Sequence, residues 1–161
     1  MRKAKSNPSF EHYLEDSGVN DQVLVYILKG HLVIEALLVE LLQVKIQGDT
    51  PWKWNFPTKI SKCVFFGLIS QDQADALNDL NDLRNDFAHI LGQRIDFDRI
   101  FSLVKKASKG FEFSDTTIHE NKSLAEKWYG IESSIVEVLN SFYFELAYIL
   151  FENGGANRLG S

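Results

Sequence analysis

Leu80-Asn81-Asp82-Leu83-Arg84-Asn85-Asp86-Phe87-Ala88-His89 is the stretch whose reading decides the fold. It lies within Gln71 to Leu91, which contains neither Pro nor Gly and is well supplied with Leu, Ala and Gln. That composition predicts a helix. Ala76, Leu80, Leu83, Phe87 and Ile90 recur at three- and four-residue spacing, one apolar stripe of the kind that packs on a core. The opposite arc carries Asn78, Asn81, Asp82, Asn85, Asp86 and His89. At about 100° per residue, Asn85 and His89 stand one turn apart on that arc. Arg84 falls at the edge of the stripe, roughly 140° around the axis from His89. His89 is therefore expected to point away from the helix's own core.

A helical His is ordinarily a solvated or hydrogen-bonded structural residue. Here Arg84, Asn85 and His89 cluster on a helix that already has a full core face, which makes them a candidate site. Arg84-Asn85, three further residues and then His89 resembles the signature of the HEPN superfamily: an Arg, usually followed by a polar residue, four to six residues before a His. The flanking Leu80, Leu83 and Ala88 are similar too, and Gly30-His31-Leu32-Val33-Ile34-Glu35-Ala36-Leu37-Leu38 resembles the first long helix of such domains. The resemblance spans roughly Val19 to Phe151, and the two motif regions are its specific part. It implies an all-α dimer with a composite ribonuclease site at the interface. Several such proteins are toxins of toxin–antitoxin pairs or effectors of phage defence in bacteria, often neutralised by a nucleotidyltransferase partner. Where silencing is by adenylylation, a Tyr lies two residues after the motif His; this chain has Leu91 there, so that mode is not implied.

Composition sets the outer bounds. A chain of 161 residues suits one domain with a real core, and 45% hydrophobic content with 12 Phe supports this. The formal charge of −5 gives no global field for nucleic acid, so RNA binding would need a local patch or one assembled across a dimer. Cys63, the single Cys, lies in an apolar run and is read as a buried inert thiol, with no disulfide framework and no Cys metal site. The basic N-terminus is not followed by an apolar signal segment, and no uninterrupted apolar run reaches about 20 residues. The expectation is a soluble cytoplasmic protein without a membrane span.

In chain order, residues 1–18 are expected to be an arm with a short helix over Pro8 to Asp16, stopped by Gly18. Residues 19–152 are read as a single helical domain and 153–161 as a flexible tail. A long helix from Asn20 or Asp21 to about Ile46 carries Val23, Ile27, Ile34, Leu37, Leu38, Leu41 and Leu42 toward the bundle. Its His31 and Glu35 stand four apart on one face. That spacing suits a mutual hydrogen bond, support for the active surface, or two ligands of a metal that would need more. Trp52-Lys53-Trp54-Asn55-Phe56-Pro57 reads as an aromatic loop, either closing the bundle end or stacking bases. Thr58 to Leu68 is a short helix with Ile60, Val64, Phe65 and Leu68 on its apolar face.

Ser70 and Gln73 form a capping box at the start of the motif helix, and Gly92 ends it. His89 then sits in the last turn, where the helix dipole and Asp82 and Asp86 would raise its pKa toward neutrality. Asp96 to Ser108 is a further helix with Ile100, Phe101 and Val104 inward. Arg94, Arg99, Lys105, Lys106 and Lys109 form a basic strip, a solvated face or a track for phosphates. Gly110 to Asn121 looks irregular. Ser123 to Phe151 reads as one long helix, with Gly130 a tolerated break or close-packing point.

The sum is an all-α bundle of about five principal helices, two of them long. No Gly-rich phosphate loop, nucleophile motif or metal-spaced carboxylate–His set is present. Catalysis would rest on Arg84, Asn85 and His89, with no cofactor and no metal expected. Those residues suit RNA cleavage by the substrate's own 2′-OH. His89 would act as general base or acid, and Arg84 would bind the scissile phosphate. Asn85 would position a phosphate oxygen or His89. Arg94, Arg99, Lys105 and Lys106 would be substrate-binding, with His31 and Glu35 in support. One His cannot easily serve both oxygens, so a homodimer is expected. The alternative, similar to the mannitol-operon repressor group, is a non-catalytic interaction module presenting Asp79, Asp82 and Asp86. A metal-dependent hydrolase through His31, Glu35 and His89 is a third reading.

Overall fold

Side-chain caps start four of the helices. Asn55 accepts from Thr58 N, Asp96 from Arg99 N and Asn121 from Leu124 N. Ser70 and Gln73 complete the expected reciprocal box: Gln73 N donates to Ser70 Oγ at 3.1 Å and Ser70 N to Gln73 Oε1 at 2.9 Å. Each bond satisfies an amide that the first helical turn leaves unpaired. The computed structural model describes residues 19–89 and 95–160. The helix expected over Pro8 to Asp16 and the Gly92 stop lie outside them.

In chain order the helices are α1 (Val19–Lys45), α2 (Thr50–Lys53), α3 (Phe56–Phe65), α4 (Gln71–His89), α5 (Phe97–Ala107), α6 (Thr117–Glu120), α7 (Lys122–Trp128) and α8 (Gly130–Glu152). There is no strand among the described residues, and the expected all-α bundle is what forms. Its principal members are α1, α3, α4, α5 and α8. The two long helices, α1 and α8, pack chiefly on each other. They approach so closely at Gly30 that a Cβ there would lie 2.6 Å from a Leu139 methyl. Val23, Ile27, Ile34, Leu37, Leu38, Leu41 and Leu42, the whole apolar set read from α1, are buried.

Three details depart from the sequence reading. The buried face of α3 is Phe56, Lys59, Ile60 and Cys63, while Phe65 is 78% exposed. The helix starts two residues earlier than expected, at Phe56, and its core face follows that first residue. The expected Ser123–Phe151 helix is broken: Gly130 has φ +65°, a conformation a residue with a Cβ rarely adopts, and α7 and α8 separate there. Trp128, expected on the apolar stripe, is exposed. The tail is tied down. Arg158 Nε donates to both Glu40 carboxylate oxygens at 3.2 Å, and Tyr143 Oη donates to Arg158 O at 2.7 Å.

Both α1, over Asp21–Lys45, and α8 are long and apolar enough by length and composition to cross a bilayer. The short uninterrupted runs in the sequence hide this, because scattered polar residues such as His31 and Glu35 divide an otherwise apolar helix. Part of each helix's apolar surface faces outward: Val25, Leu28 and Leu32 on α1, and Phe144, Tyr148 and Phe151 on α8.

α4 is clasped by α1, α3 and α5. Its entry is fixed by Gln73, whose Nε2 donates to Gly110 O at 3.0 Å. A Cβ at Gly110 would stand 2.7 Å from Gln73 N, against backbone that cannot swing aside. Gly110→Ala is expected to lower stability by about 1–3 kcal/mol through overpacking. Urea denaturation measures this, and a midpoint equal to that of the wild type would show that the contact is relaxed in solution.

Candidate active site

Packing on three sides widens the buried arc of α4 beyond its apolar stripe. Gln73, Ala74, Ala76, Leu77, Leu80, Asn81 and Leu83 are all buried, spanning about half the helix circumference at about 100° per residue. Asn81, expected on the polar arc, is therefore an interior residue at 8% exposure. Its Oδ1 meets His31 Nε2 of α1 at 2.9 Å. His31 is 5% exposed and stacks on Phe56 with ring centroids 4.1 Å apart.

This corrects the expected His31–Glu35 pairing. Glu35 instead accepts from Lys59 Nζ at 3.2 Å, and the same ammonium donates to Trp54 O at 2.6 Å. Lys59 is 1% exposed, one of the most buried side chains in the fold. A carboxylate and a carbonyl replace water around its ammonium there. So α1, α3 and α4 meet along a polar seam: His31 and Glu35, Lys59, then Asn81 and Arg84. Trp54 packs against the core and backs the seam from the aromatic segment, whereas Trp52 is exposed. Lys62 Nζ lies 5.4 Å from the Trp54 ring centroid.

Arg84, the next turn of α4 after Asn81, is half-buried. Its Nη1 donates to Asn85 Oδ1 at 3.1 Å. Arg99 and Arg158, the other described arginines, both clasp carboxylates. Among the described residues Arg84 contacts none. A guanidinium without a carboxylate keeps its fork of donors for an anion from outside. The His89 backbone closes α4. The His89 side chain lies outside the described residues, together with Arg94, and so does the raised basicity expected of His89.

Burial is the main force that pulls the His31 pKa below the ordinary 6.5; Arg84 and Lys59 push the same way, while the Asn81 bond and Glu35 oppose them. A depressed imidazole pKa means that the unfolded chain takes up the proton more readily. The neutral-state advantage is fully present above pH 6.5 and is lost as the pH falls from 6.5 toward the folded midpoint. Gln places its amide nitrogen where Nε2 stands and does not titrate. Stability of His31→Gln should therefore fall less than that of the wild type between pH 7 and pH 5. Parallel stability–pH curves from chemical denaturation would contradict a buried neutral His31.

One member of the basic strip, Arg99, is held within the fold. Arg99 Nη1 and Nη2 each lie 3.1 Å from an Asp79 carboxylate oxygen, and Lys106 Nζ is 4.0 Å from the same group. Lys105 Nζ sits 5.8 Å from the Phe101 ring centroid. Asp72, Asp75, Asp79 and Asp82 recur at helical spacing on the side of α4 facing α5, and with Asn78, Lys106 and Lys109 they line a shallow groove. Asp79, one member of that row, is what pairs with Arg99.

His31 and Glu35 are held by different partners, and among the described residues no three His, Cys, Asp or Glu side chains come together to hold a metal. Burial pushes the Cys63 thiol up to about 12, so it is not a nucleophile near neutrality. Comparison with family models, curated proteins and solved structures finds no match to the chain. The assignment rests on the residues themselves.

Proposed function

We propose that the chain is a HEPN-like, metal-independent endoribonuclease. The observation that carries the reading is Arg84: a half-buried guanidinium with no carboxylate among the described residues, hydrogen-bonded to Asn85, on the helix that ends at His89. In this reading Arg84 binds the non-bridging oxygens of the scissile phosphate and stabilises their charge as it grows. His89 removes the proton from the ribose 2′-OH, which attacks the adjacent phosphorus. The phosphorus–O5′ bond breaks, and the 5′ oxygen takes a proton from a second His89, supplied by a two-fold partner copy. The products are a 2′,3′-cyclic phosphate and a 5′-hydroxyl. Asn85 holds the guanidinium from the side. The role as a toxin or defence effector belongs to the same reading and comes from the resemblance.

Arg99 takes no part in it, since Asp79 already holds it. The test is incubation of the purified chain with transfer, ribosomal and messenger RNAs in excess EDTA. Cleavage supports the reading. A folded dimer that leaves every RNA intact removes it.

One observation favours a second reading. The row Asp72, Asp75, Asp79 and Asp82 gives α4 an acidic face beside the motif. A non-catalytic module, similar to the mannitol-operon repressor group, would use that face to hold a basic protein partner. Charge reversal at Asp72 and Asp75 would abolish such an association, and in this reading the wild type cleaves no RNA.

A further inference from the structure

The His31–Asn81 pair spans 50 residues of sequence and is buried, yet it lies one helical turn from a guanidinium that no described carboxylate neutralises. We propose that His31 is the positioning residue of an oxyanion site centred on Arg84, and that filling this site and protonating His31 are linked events. The proposal rests on the functional reading above for its ligand, a phosphate diester, and extends it to a residue that never touches the substrate.

The geometry is specific about how His31 acts. Asn81 and Arg84 are three residues apart on α4, so whatever fixes Asn81 fixes the rotation of the turn that presents Arg84. Asn81 is fixed by His31 Nε2 at 2.9 Å. His31 is itself fixed by its stack on Phe56, 4.1 Å between centroids, at the start of α3. The charged groups facing the imidazole are Glu35 from α1, Lys59 from α3 and Arg84 from α4. Glu35 and Lys59 are matched to each other at 3.2 Å. Arg84 is the cation that no carboxylate among the described residues matches. Burial is the main force that keeps His31 neutral, and an imidazolium beside Arg84 is further opposed by like charge, so the Asn81 bond keeps its geometry. An oxyanion on Arg84 cancels that opposition, and His31 then accepts a proton more readily. By reciprocity, protonation of His31 must tighten oxyanion binding by the same factor.

The experiment uses the full chain and inorganic sulfate, a dianion that does not titrate near neutrality, with chloride at equal ionic strength as the control. The imidazole C–H signals are followed by NMR against pH in the wild type, in Arg84→Gln, and in His31→Gln, which assigns the resonance. In the wild type, sulfate should raise the His31 midpoint and chloride should not. Arg84→Gln should raise the midpoint without any anion and abolish the sulfate response. A midpoint unmoved by Arg84→Gln, or a sulfate response that survives it, overturns the proposal. A protein that shows the linkage but cleaves no RNA would keep this inference and remove the nuclease reading. Cleavage without linkage would do the opposite.

The positioning role has its own readout. His31→Gln, which can still donate to Asn81, should keep cleavage within about threefold of the wild type. His31→Leu, compared at a temperature where both are fully folded, should lose at least tenfold, mainly in kcat. Equal activity of the two folded variants would show that the bond to Asn81 does not set Arg84.

Discussion

Glu35→Leu is expected to cost about 3–5 kcal/mol of stability, because it leaves the Lys59 ammonium buried with a backbone carbonyl and no counter-charge. Lys59 is 1% exposed, and Glu35 Oε1 at 3.2 Å is its acidic partner. Removing the carboxylate does not remove the desolvation that its attraction offset. The informative control is the double variant Glu35→Leu/Lys59→Met, which deletes both charges and keeps the volume apolar. Such replacements of buried pairs are often neutral or stabilising by about 1–4 kcal/mol. Urea denaturation should therefore show a large loss in the single variant and recovery in the double. A single variant within about 0.5 kcal/mol of the wild type would mean that water reaches Lys59, as surface substitutions behave.

Arg84→Ala is expected to lower kcat/KM for RNA cleavage by about 10²- to 10³-fold, the loss typical of removing one preorganised donor from a developing charge. Stability should change little, since among the described residues Arg84 holds Asn85 alone. Arg84→Lys should recover part of the loss, because an ammonium supplies charge without the two-pronged fork. Asn85→Ala should fall between wild type and Arg84→Ala. If the loss in Arg84→Ala merely tracks a fall in folded protein, Arg84 is structural. If Arg84→Ala cleaves at the wild-type rate, the oxyanion role is gone.

What the sequence disclosed, and what it hid, follows from the range of each interaction. The Ser70–Gln73 box was legible because both partners sit within one turn. The core face of α1 was legible because its apolar residues keep one period over the whole helix. Asn81 was not. Its neighbours in sequence place it among Asn78, Asp82 and Asn85, and only the packing of α1, α3 and α5 around α4 makes it interior. The true partner of His31 lies 50 residues away, so the nearer Glu35 looked the better match. Lys59 left a trace: it shares a face with Phe56, Ile60 and Cys63, and a lysine inside an apolar stripe signals a buried pair. The pairing of Arg99 was not legible because its partner, Asp79, lies 20 residues away on α4.

The candidate site was read from the motif; of its residues Arg84 donates to the neighbouring Asn85, and the His89 side chain lies outside the described residues. Its setting was not legible. A buried His, an amide and a matched Lys–Glu pair behind the arginine form a nearly charge-balanced wall. In the proposed reading, a single guanidinium against such a wall is what would anchor one phosphate in a chain of net charge −5.

The most direct measurement is the chemistry of the ends left on RNA by the wild-type protein in excess EDTA, with His89→Ala beside it. The account predicts 2′,3′-cyclic phosphate and 5′-hydroxyl ends from the wild type and no cut RNA from His89→Ala. Ends bearing 5′-phosphate and 3′-hydroxyl, or identical cutting by His89→Ala, would contradict it.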